Sequence, residues 1–370
     1  MIDDDAPTPA RDGSARASRT PVRRVDFGYQ TFTVRRGGLA GRWQLRSLVV
    51  CAAIVAATIA TAILALSLGD YPLTLAQIWA ALVGDPDAGF ARTVVVEWRL
   101  PRVLAAILFG AALGTAGAAF QSLTRNPLAS PDIIGFSTGS YTGALTVIIV
   151  FGGGYLQVAG GALIGGILTA AAVYLFAWQR GVQGFRLIIV GIAVSAMLSS
   201  FNTWLMLTAE QEVALSATVW GAGSLNGTTW EQALLGGVLV VALLIAASGL
   251  SPSLRQLELG DDAAKATGTR TEPVRLLVML IAVALTAVVT AAAGPIAFVA
   301  LAAPQIARRL ARTPGVTLAP AACMGALLLV AADVVAQHLL PTVLPVGVVT
   351  VVVGGAYLVW LIIKEVRNRA

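Results

Sequence analysis

A series of long apolar segments, separated by short polar connections, constrains this chain more than any other feature. Hydrophobic residues make up 57% of the 370 residues and charged residues only 12%, whereas soluble domains carry about 25% charged residues. A soluble core would need periodic polar positions within these segments. The sequence therefore predicts an all-α membrane protein, a polytopic bundle of about ten transmembrane helices. The predicted spans are 48–68, 100–121, 133–151, 156–178, 186–207, 231–250, 274–293, 296–311, 317–338 and 345–363.

The distribution of basic residues predicts how the chain is oriented. The connections at 152–155, 208–230, 294–295 and 339–344 contain no lysine or arginine. Basic residues concentrate in the alternate connections, which favours a cytoplasmic location for those connections and for both termini. The connection 69–99 departs from this rule, because it carries Arg92 and Arg99. We expect a multi-pass protein of the cytoplasmic membrane.

Residues 1–47 differ in composition from the rest of the chain. Nine arginines and many Ser, Thr, Pro and Gly residues predict a disordered basic cytoplasmic tail. The tail can flank the first span or contact anionic lipid. A second short cytoplasmic tail is expected at 365–370. The net charge of +6 lies mostly outside the apolar segments, so membrane lipid accounts for it without a nucleic-acid partner.

A stretch from Trp98 to Gly143 carries a recognisable pattern. It contains L-P-R, then Q-x-x-x-x-N-P-L-A-x-P, then I-G-x-x-x-G. The pattern resembles the FecCD family, the membrane permeases of type II ABC importers, and the resemblance runs from about Val49 to Lys364. The matching residues are Arg99, Pro101, Arg102, Gln121, Asn126, Pro127, Gly135 and, later in the chain, Pro304.

The resemblance implies a type II importer permease fold, with the transmembrane permease domain at 48–364. It also implies partners: a dimer of ABC ATPase subunits that bind ATP and Mg, a second FecCD-type permease, and an extracytoplasmic solute-binding protein. The chain has no G-x-x-x-x-G-K-[ST] phosphate-binding loop, and no cluster of His, Cys, Asp or Glu suggests a metal site. We therefore expect a transport subunit with no cofactor and no catalytic activity of its own.

The connection at about 251–270 is predicted to contain two short helices. Pro252 can begin the first, Gly260 can precede the second, and Gly268 can end it. From the residues alone, a solvated hairpin is equally compatible. The resemblance implies coupling helices that dock on the ATPase. The residues concerned are Leu257, Leu259, Gly260, Ala263, Ala264 and Gly268.

The fifth predicted span carries polar residues at helical spacing. Ser195, Ser199 and Asn202 share one face, which suits a hydrated transport pathway or hydrogen bonds between helices. By position, Gln183 and its neighbours Gly184 and Phe185 would form a cytoplasmic gate. An ordinary short connection there is nearly as compatible with the sequence.

Charged residues near the other end of the bundle suggest further roles. Asp333 lies deep in an apolar span, and Gln337 one turn later is its expected hydrogen-bond partner. Asn at position 333 should then be tolerated. Related permeases use an arginine near Arg92 to pair with glutamates of the binding protein. We expect Arg99 and Arg102 to anchor a helix end at the membrane interface.

Departures from the family pattern favour one kind of assembly. The chain has Gln305, Gly315, Val343 and Ala356 where the family often has His, a residue of an Asp-His-Arg motif, Glu and Pro. Such losses favour a heterodimer with a related permease, although a homodimer stays possible. The nearly uncharged spans suit a wrapped ferric siderophore. Vitamin B12-type corrinoids, haem or, as a different class, an ion-coupled secondary transporter are the alternatives.

Overall fold

The computed structural model describes residues 31–36, 39–178, 184–315, 317–339 and 341–369. The chain divides into two compact units, Met1–Leu45 and Arg46–Ala370. The described part of the first unit is a two-stranded antiparallel hairpin. Strand β1, Thr31–Arg36, pairs with β2, Leu39–Gln44. The sequence predicts a disordered tail here, so the expectation is wrong for 31–36 and 39–44, and residues 1–30, 37 and 38 lie outside the described residues.

The second unit is helical throughout its described residues, apart from the connections between helices. Its helices, in chain order, are α1 Leu45–Ser67, α2 Leu75–Val83, α3 Phe90–Thr124, α4 Phe136–Phe151, α5 Tyr155–Ala177, α6 Gly184–Thr208, α7 Gln211–Gly221, α8 Trp230–Glu258, α9 Asp261–Ala266, α10 Thr271–Ala293, α11 Val299–Ala311, α12 Leu318–His338 and α13 Val346–Arg369. The first part of α3, Thr93–Arg99, is π-helical. A short 3₁₀ turn, Pro86–Ala88, connects α2 to α3.

Each predicted span overlaps one of these helices. Among the described residues, seven helices are long and apolar enough to cross a membrane: α1, α3, α5, α6, α8, α10 and α12. Helix α4 and the apolar part of α13, Val346–Trp360, are shorter, and α11 has only 13 residues. The second unit is thus a helical membrane unit with seven candidate spans among its described residues. Two further helices, α2 and α7, lie in connections for which the sequence predicts no helix.

Helices α8 and α11 each continue through an internal proline. The sequence suggests that Pro252 begins a new short helix, but α8 runs through it without a break to Glu258. Helix α11 likewise continues through Pro304, which is buried. A proline inside a helix removes one backbone hydrogen bond, and neighbouring helices can supply other partners for the freed carbonyl.

Helix α3 lies at the centre of the packing. Most of its residues from Pro101 to Ser122 are buried, and α12, α11, α10 and α8 all pack against it. Three glycines make this possible. A Cβ atom at Gly110 or Gly114 would overlap backbone atoms of α12, and a Cβ atom at Gly117 would overlap the Ala300 carbonyl of α11. Small residues at these positions let the backbones of neighbouring helices approach closely.

Candidate functional site

The predicted coupling region, residues 251–270, begins in the last turns of α8, which ends at Glu258. The backbone turns at Gly260, whose φ of +116° favours glycine, and α9 then runs from Asp261 to Ala266. Gly268, with φ +85°, ends the turn before α10 begins. The second short helix predicted between Gly260 and Gly268 is therefore present, although its docking role is not tested.

Only part of this region faces outward. Ala264 is 1% exposed and Leu257 is 3% exposed, so both belong to the packing of the bundle. Ala263 and Leu259 are exposed, and Leu259 is 74% exposed. Gly268 is exposed as well. Of the predicted coupling residues, Leu259, Ala263 and Gly268 are therefore the ones that a partner can reach, and the exposed leucine offers it a shallow apolar surface.

An ionic network holds α9 against two neighbouring helices. Arg275 of α10 donates two hydrogen bonds from Nη2 to Asp261, with distances of 3.0 Å to Oδ1 and 2.9 Å to Oδ2. Arg125, at the end of α3, donates from Nη2 to Oδ1 of the same carboxylate at 2.7 Å. Arg125 also donates to the Leu257 carbonyl oxygen from Nε at 3.2 Å and from Nη2 at 2.9 Å. Charge-assisted contacts of this kind are stronger than neutral ones.

The network changes the acidity of Asp261. Partial burial by itself would raise the pKa of this carboxyl group, but the guanidinium groups of Arg275 and Arg125 outweigh it. The pKa therefore lies below its ordinary value of 3.8. The sequence analysis did not identify Asp261, Arg125 or Arg275. A carboxylate directly after Gly260 was the available signal, but its arginine partners lie 14 and 136 positions away.

A second contact joins the same helix ends. Ser122 of α3 donates from Oγ to Oε1 of Glu258, the last residue of α8, at 2.6 Å. The carboxyl-terminal ends of α3 and α8 are thus connected side by side. The coupling region is therefore joined to the end of α3 by hydrogen bonds and an ion pair.

A large cavity lies at the opposite end of α3. Its volume is about 840 Å³, and its lining includes charged and aromatic residues from several connections, among them Asp70, Glu97, Trp98, Trp230 and His338. Arg102 and Asp333 also line it. The cavity is therefore bounded by residues from the α1–α3 connection, the start of α8 and the end of α12.

The partner of Asp333 is Arg102, so the expectation of a Gln337 partner is wrong. Arg102 donates from Nε to Oδ2 at 2.9 Å and from Nη2 to Oδ1 at 2.6 Å. The two side chains are 17% and 6% exposed. Gln337 instead donates from Nε2 to Oδ1 of Asn226 at 2.7 Å. Arg102 thus joins α3 to α12, and its role as an anchor at the membrane interface stays a prediction.

The other two arginines of this end have different surroundings. Arg99 donates to two backbone carbonyls, that of Leu66 at 2.6 Å and that of Tyr71 at 2.9 Å. It thereby supplies hydrogen bonds to orphan carbonyls where α1 ends. Arg92 is exposed at the start of α3, where it is accessible to a partner.

The remaining motif residues shape the packing and the turn after α3. Gln121 is buried, donates from Nε2 to the Leu301 carbonyl at 3.1 Å and accepts from Nε2 of Gln305 at 2.5 Å. Oδ1 of Asn126 accepts a hydrogen bond from the backbone N–H of Leu128 at 2.9 Å, which closes a turn around Pro127. Gly135 has φ +92° and lies against Ser195 of α6.

The predicted pathway residues of α6 do not share one environment. The hydroxyl of Ser195 lies 3.0 Å from that of Thr138 on α4, and Asn202 is buried. Ser199 is exposed. Ser195 therefore forms a hydrogen bond between helices, which was one of the two expected roles. Ser199 is accessible, so its role in a transport pathway stays a prediction. Among the predicted gate residues, Gln183 lies outside the described residues, Gly184 begins α6, and Phe185 is 76% exposed.

Within the described ranges, no group of three or more His, Cys, Asp or Glu residues could hold a metal ion. Cys51 and Cys323 are both free thiols and partly buried. Their environment agrees with small packing residues.

Comparison with known proteins places this geometry in a family. The model of the FecCD transport family matches residues 56–364. The chain is 51% identical over 325 residues to the ferric enterobactin transport system permease protein FepG of Escherichia coli (strain K12), which covers 88% of this chain and 98% of that protein. It is 36% identical to the achromobactin transport system permease protein CbrC of Dickeya dadantii (strain 3937), over 88% of this chain and 92% of that one.

A solved structure has the same fold. A metal-chelate type ABC transporter in an inward-facing conformation aligns with a TM-score of 0.75 and 28% identity. The alignment covers 86% of this chain and 99% of the other. Taken with the family match over most of the sequence, this structure leads to one conclusion: the chain belongs to the FecCD transport family.

Proposed function

We propose that this chain is the transmembrane permease subunit of an ABC importer that moves a ferric siderophore across the cytoplasmic membrane. The observation that carries the proposal is the 51% identity to a ferric enterobactin permease over 98% of that protein. The relatives named above are permeases for iron chelates. The chain itself would supply the pathway, and ATP hydrolysis would take place on a separate subunit.

The proposal includes ten membrane crossings. Seven helices support it by length and composition, while α4, α11 and α13 would have to cross as shorter apolar segments. The shorter helices can do so because neighbouring protein satisfies backbone groups that lipid would leave unpaired. The distribution of basic residues supports placing the α8–α10 connection and both termini in the cytoplasm.

The coupling region supports an ATPase partner. Leu259 is exposed directly before Gly260, and Ala263 is exposed on the short helix that Gly260 and Gly268 delimit. The ionic network of Asp261 would resist bending of this helix away from its neighbours. A rigid and small-faced helix can enter a cleft on a partner without large side chains in the way. We assign ATP and Mg to that partner, and an extracytoplasmic binding protein to the opposite face, where Arg92 is exposed.

A ferric siderophore suits this chain better than a free ion. The described residues contain no cluster of metal ligands, and Fe³⁺ requires hard oxygen ligands, so the metal would travel inside its chelator. A corrinoid or haem would also arrive as a bulky chelate. An ion-coupled secondary transporter fits less well, because the buried carboxylate Asp333 is engaged with Arg102.

The decisive experiment is reconstitution in lipid vesicles. The complex would contain this permease, its ATPase and a co-encoded related permease. It would be reconstituted into vesicles that contain ATP inside, and the binding protein would be added. Uptake of a radiolabelled ferric catecholate siderophore would then be compared with uptake of a corrinoid and of haem. ATP-dependent uptake of the siderophore alone is expected. Uptake that needs an ion gradient and no ATPase would contradict the proposal.

A further inference from the structure

The junction of α3, α9 and α10 contains a carboxylate whose role goes beyond local packing. We propose that Asp261 is a positioning residue that ties the coupling helix α9 to α3, so that a displacement of α9 by the ATPase also displaces α3. This inference rests on the proposed function, because it assumes that an ATPase moves α9. Asp261 itself need not touch the ATPase or the transported substrate.

The carboxylate is shared between two helices that are distant in sequence. Arg275 of α10 binds both of its oxygens, at 3.0 and 2.9 Å, and Arg125 at the end of α3 binds Oδ1 at 2.7 Å. The Arg275 side chain is only 9% exposed and is also held by Glu272 Oε1 at 2.7 Å. Because Arg275 is itself held in place, Asp261 cannot shift far without breaking several charge-assisted hydrogen bonds.

Arg125 transmits this restraint to α3. Arg125 is the residue directly after α3 and has the left-handed conformation, with φ +52°. Its guanidinium also donates two hydrogen bonds to the carbonyl oxygen of Leu257, near the end of α8. A non-glycine residue in this conformation is uncommon and is maintained by its contacts. The Ser122–Glu258 hydrogen bond adds a parallel connection between α3 and α8. A push on α9 therefore acts on α3 directly through the Arg125–Asp261 pair, and the contacts of Arg125 and Ser122 with the end of α8 act beside it.

The restraint continues to the opposite end of the bundle. Glycines of α3 pack directly on backbone atoms of α12 and α11, so these helices cannot slide past one another without overlap. The Arg102–Asp333 pair then joins α3 to α12 beside the 840 Å³ cavity. A contiguous set of contacts thus connects α9 with that cavity, and packed side chains and ion pairs of this kind can carry energetic coupling between distant sites.

The neighbouring carboxylate provides a matched control. Asp262 lies in the same turn of α9 but is exposed, and no hydrogen bond or ion pair in the described part of the chain involves its side chain. The variants Asp261→Asn and Asp262→Asn remove the same charge from adjacent positions. Only the first removes the attachment to α3.

The test measures the number of substrate molecules imported per ATP hydrolysed, using the full complex in vesicles. In Asp261→Asn this ratio should fall on the order of fivefold, as expected when a coupling free energy is lost, while the ATPase still co-purifies. Arg125→Gln should reduce the ratio in the same way, Asp262→Asn should leave it unchanged, and Asp261→Glu should recover part of it. A purely structural role would lower the yield or thermal stability without changing the ratio.

Two results would overturn the inference. One is a ratio in Asp261→Asn and Arg125→Gln equal to that of Asp262→Asn. The other is loss of ATPase binding in these variants with an unchanged ratio for the complexes that still form, because Asp261 would then act in docking. A wild-type complex that hydrolyses ATP but imports no substrate would instead contradict the proposed function, so the two failures are distinguishable.

Discussion

The arginines near the start of α3 differ in their partners, and the partner determines what the loss of each residue should do. Arg99 completes the hydrogen bonding of backbone carbonyls at the end of α1, whereas Arg102 forms a largely buried ion pair with Asp333. A buried charge that loses its partner remains desolvated without compensation. Asp333 should therefore be sensitive to substitution, although Gln337 does not contact it.

The first prediction concerns this pair. Asp333→Ala should lower the free energy of unfolding by about 3 kcal/mol, because it leaves the Arg102 guanidinium buried and unpaired. Asp333→Asn should cost less, since its amide oxygen still accepts one hydrogen bond. The double variant Arg102→Met/Asp333→Leu should be more stable than Asp333→Ala. Thermal unfolding of the purified permease measures all three. Asp70→Ala, which lines the same cavity at an exposed position, is the control.

The second prediction concerns the pH dependence of the coupling region. The folded-state pKa of Asp261 lies below 3.8, so its ionic contacts stabilise the region above that pH and are lost as the pH falls through the lowered pKa. Asp261 therefore stays ionised from roughly pH 6 to 8, and it should not change the ratio of imported substrate to hydrolysed ATP in this range. A fall in this ratio within that window that Asp261→Asn abolishes would contradict the assigned pKa direction.

At the scale of the element, α3 is the packing centre because three of its positions have no side chain. Gly110, Gly114 and Gly117 remove side-chain bulk from the surfaces that meet α12 and α11, and the backbones come into direct contact. Helices in lipid gain little from burying apolar surface, since lipid tails are equally apolar. Close van der Waals packing at these glycines is therefore the main source of their association.

The third prediction tests this packing. Gly114→Ala should destabilise the permease by about 2 kcal/mol, because the new methyl group would overlap the Ala321 carbonyl and force α3 and α12 apart. Gly249→Ala is the matched control, since nothing lies within 4 Å of the Cβ position there. That variant should be neutral or slightly stabilising, as alanine favours helices. If Gly114→Ala were as stable as Gly249→Ala, the close approach of α3 to α12 at Gly114 would not contribute to stability.

At the scale of the whole molecule, some helices have too few neighbours for a complete bundle. Helix α6 is mostly exposed, with Met197 at 74% and Leu207 at 81%, and Val352 of α13 is 66% exposed. Lipid or a second permease can cover these faces. Among three glycines of these two helices, Gly191 packs on Ile134 and Gly354 on Phe298, whereas nothing lies within 4 Å of the Cβ position of Gly355.

The fourth prediction follows from these exposed faces. We expect a heterodimer with a related FecCD-type permease, in which α6 and the Gly355 surface of α13 lie near the partner. Co-expression with the ATPase alone should not give a transport-competent complex, whereas adding the related permease should. Native mass spectrometry of the purified complex would report its subunits. A functional complex that contains only this permease would show the prediction to be wrong.

Substitution at the open glycine separates pairing from folding. Gly355→Trp should disrupt the complex while leaving the isolated permease folded, since nothing within 4 Å meets a Cβ atom there in the single chain. Gly354→Trp should instead unfold the chain locally, because Phe298 occupies that space. Equal assembly of Gly355→Trp and wild type would remove this surface from the interface.

The sequence by itself determined the features that depend on neighbouring residues. Apolar runs of about 20 residues located the helices, because backbone groups in lipid must bond within their own segment. Gly260 and Gly268 correctly delimited α9, because chain reversals depend on local conformation. The L-P-R and N-P-L-A motifs sufficed to indicate the family.

Only the tertiary structure decided which distant groups meet. Arg102 and Asp333 are 231 positions apart, and Arg125 and Asp261 are 136 apart, so no local pattern could pair them. Gln337 was the expected partner of Asp333 because it is one helical turn away, but the two side chains point to different neighbours. Helical periodicity gives the direction of a side chain relative to its own helix. The contacts that it makes depend on how the helices pack, and in this protein the close approach of α3 to α12 brings Arg102 to Asp333.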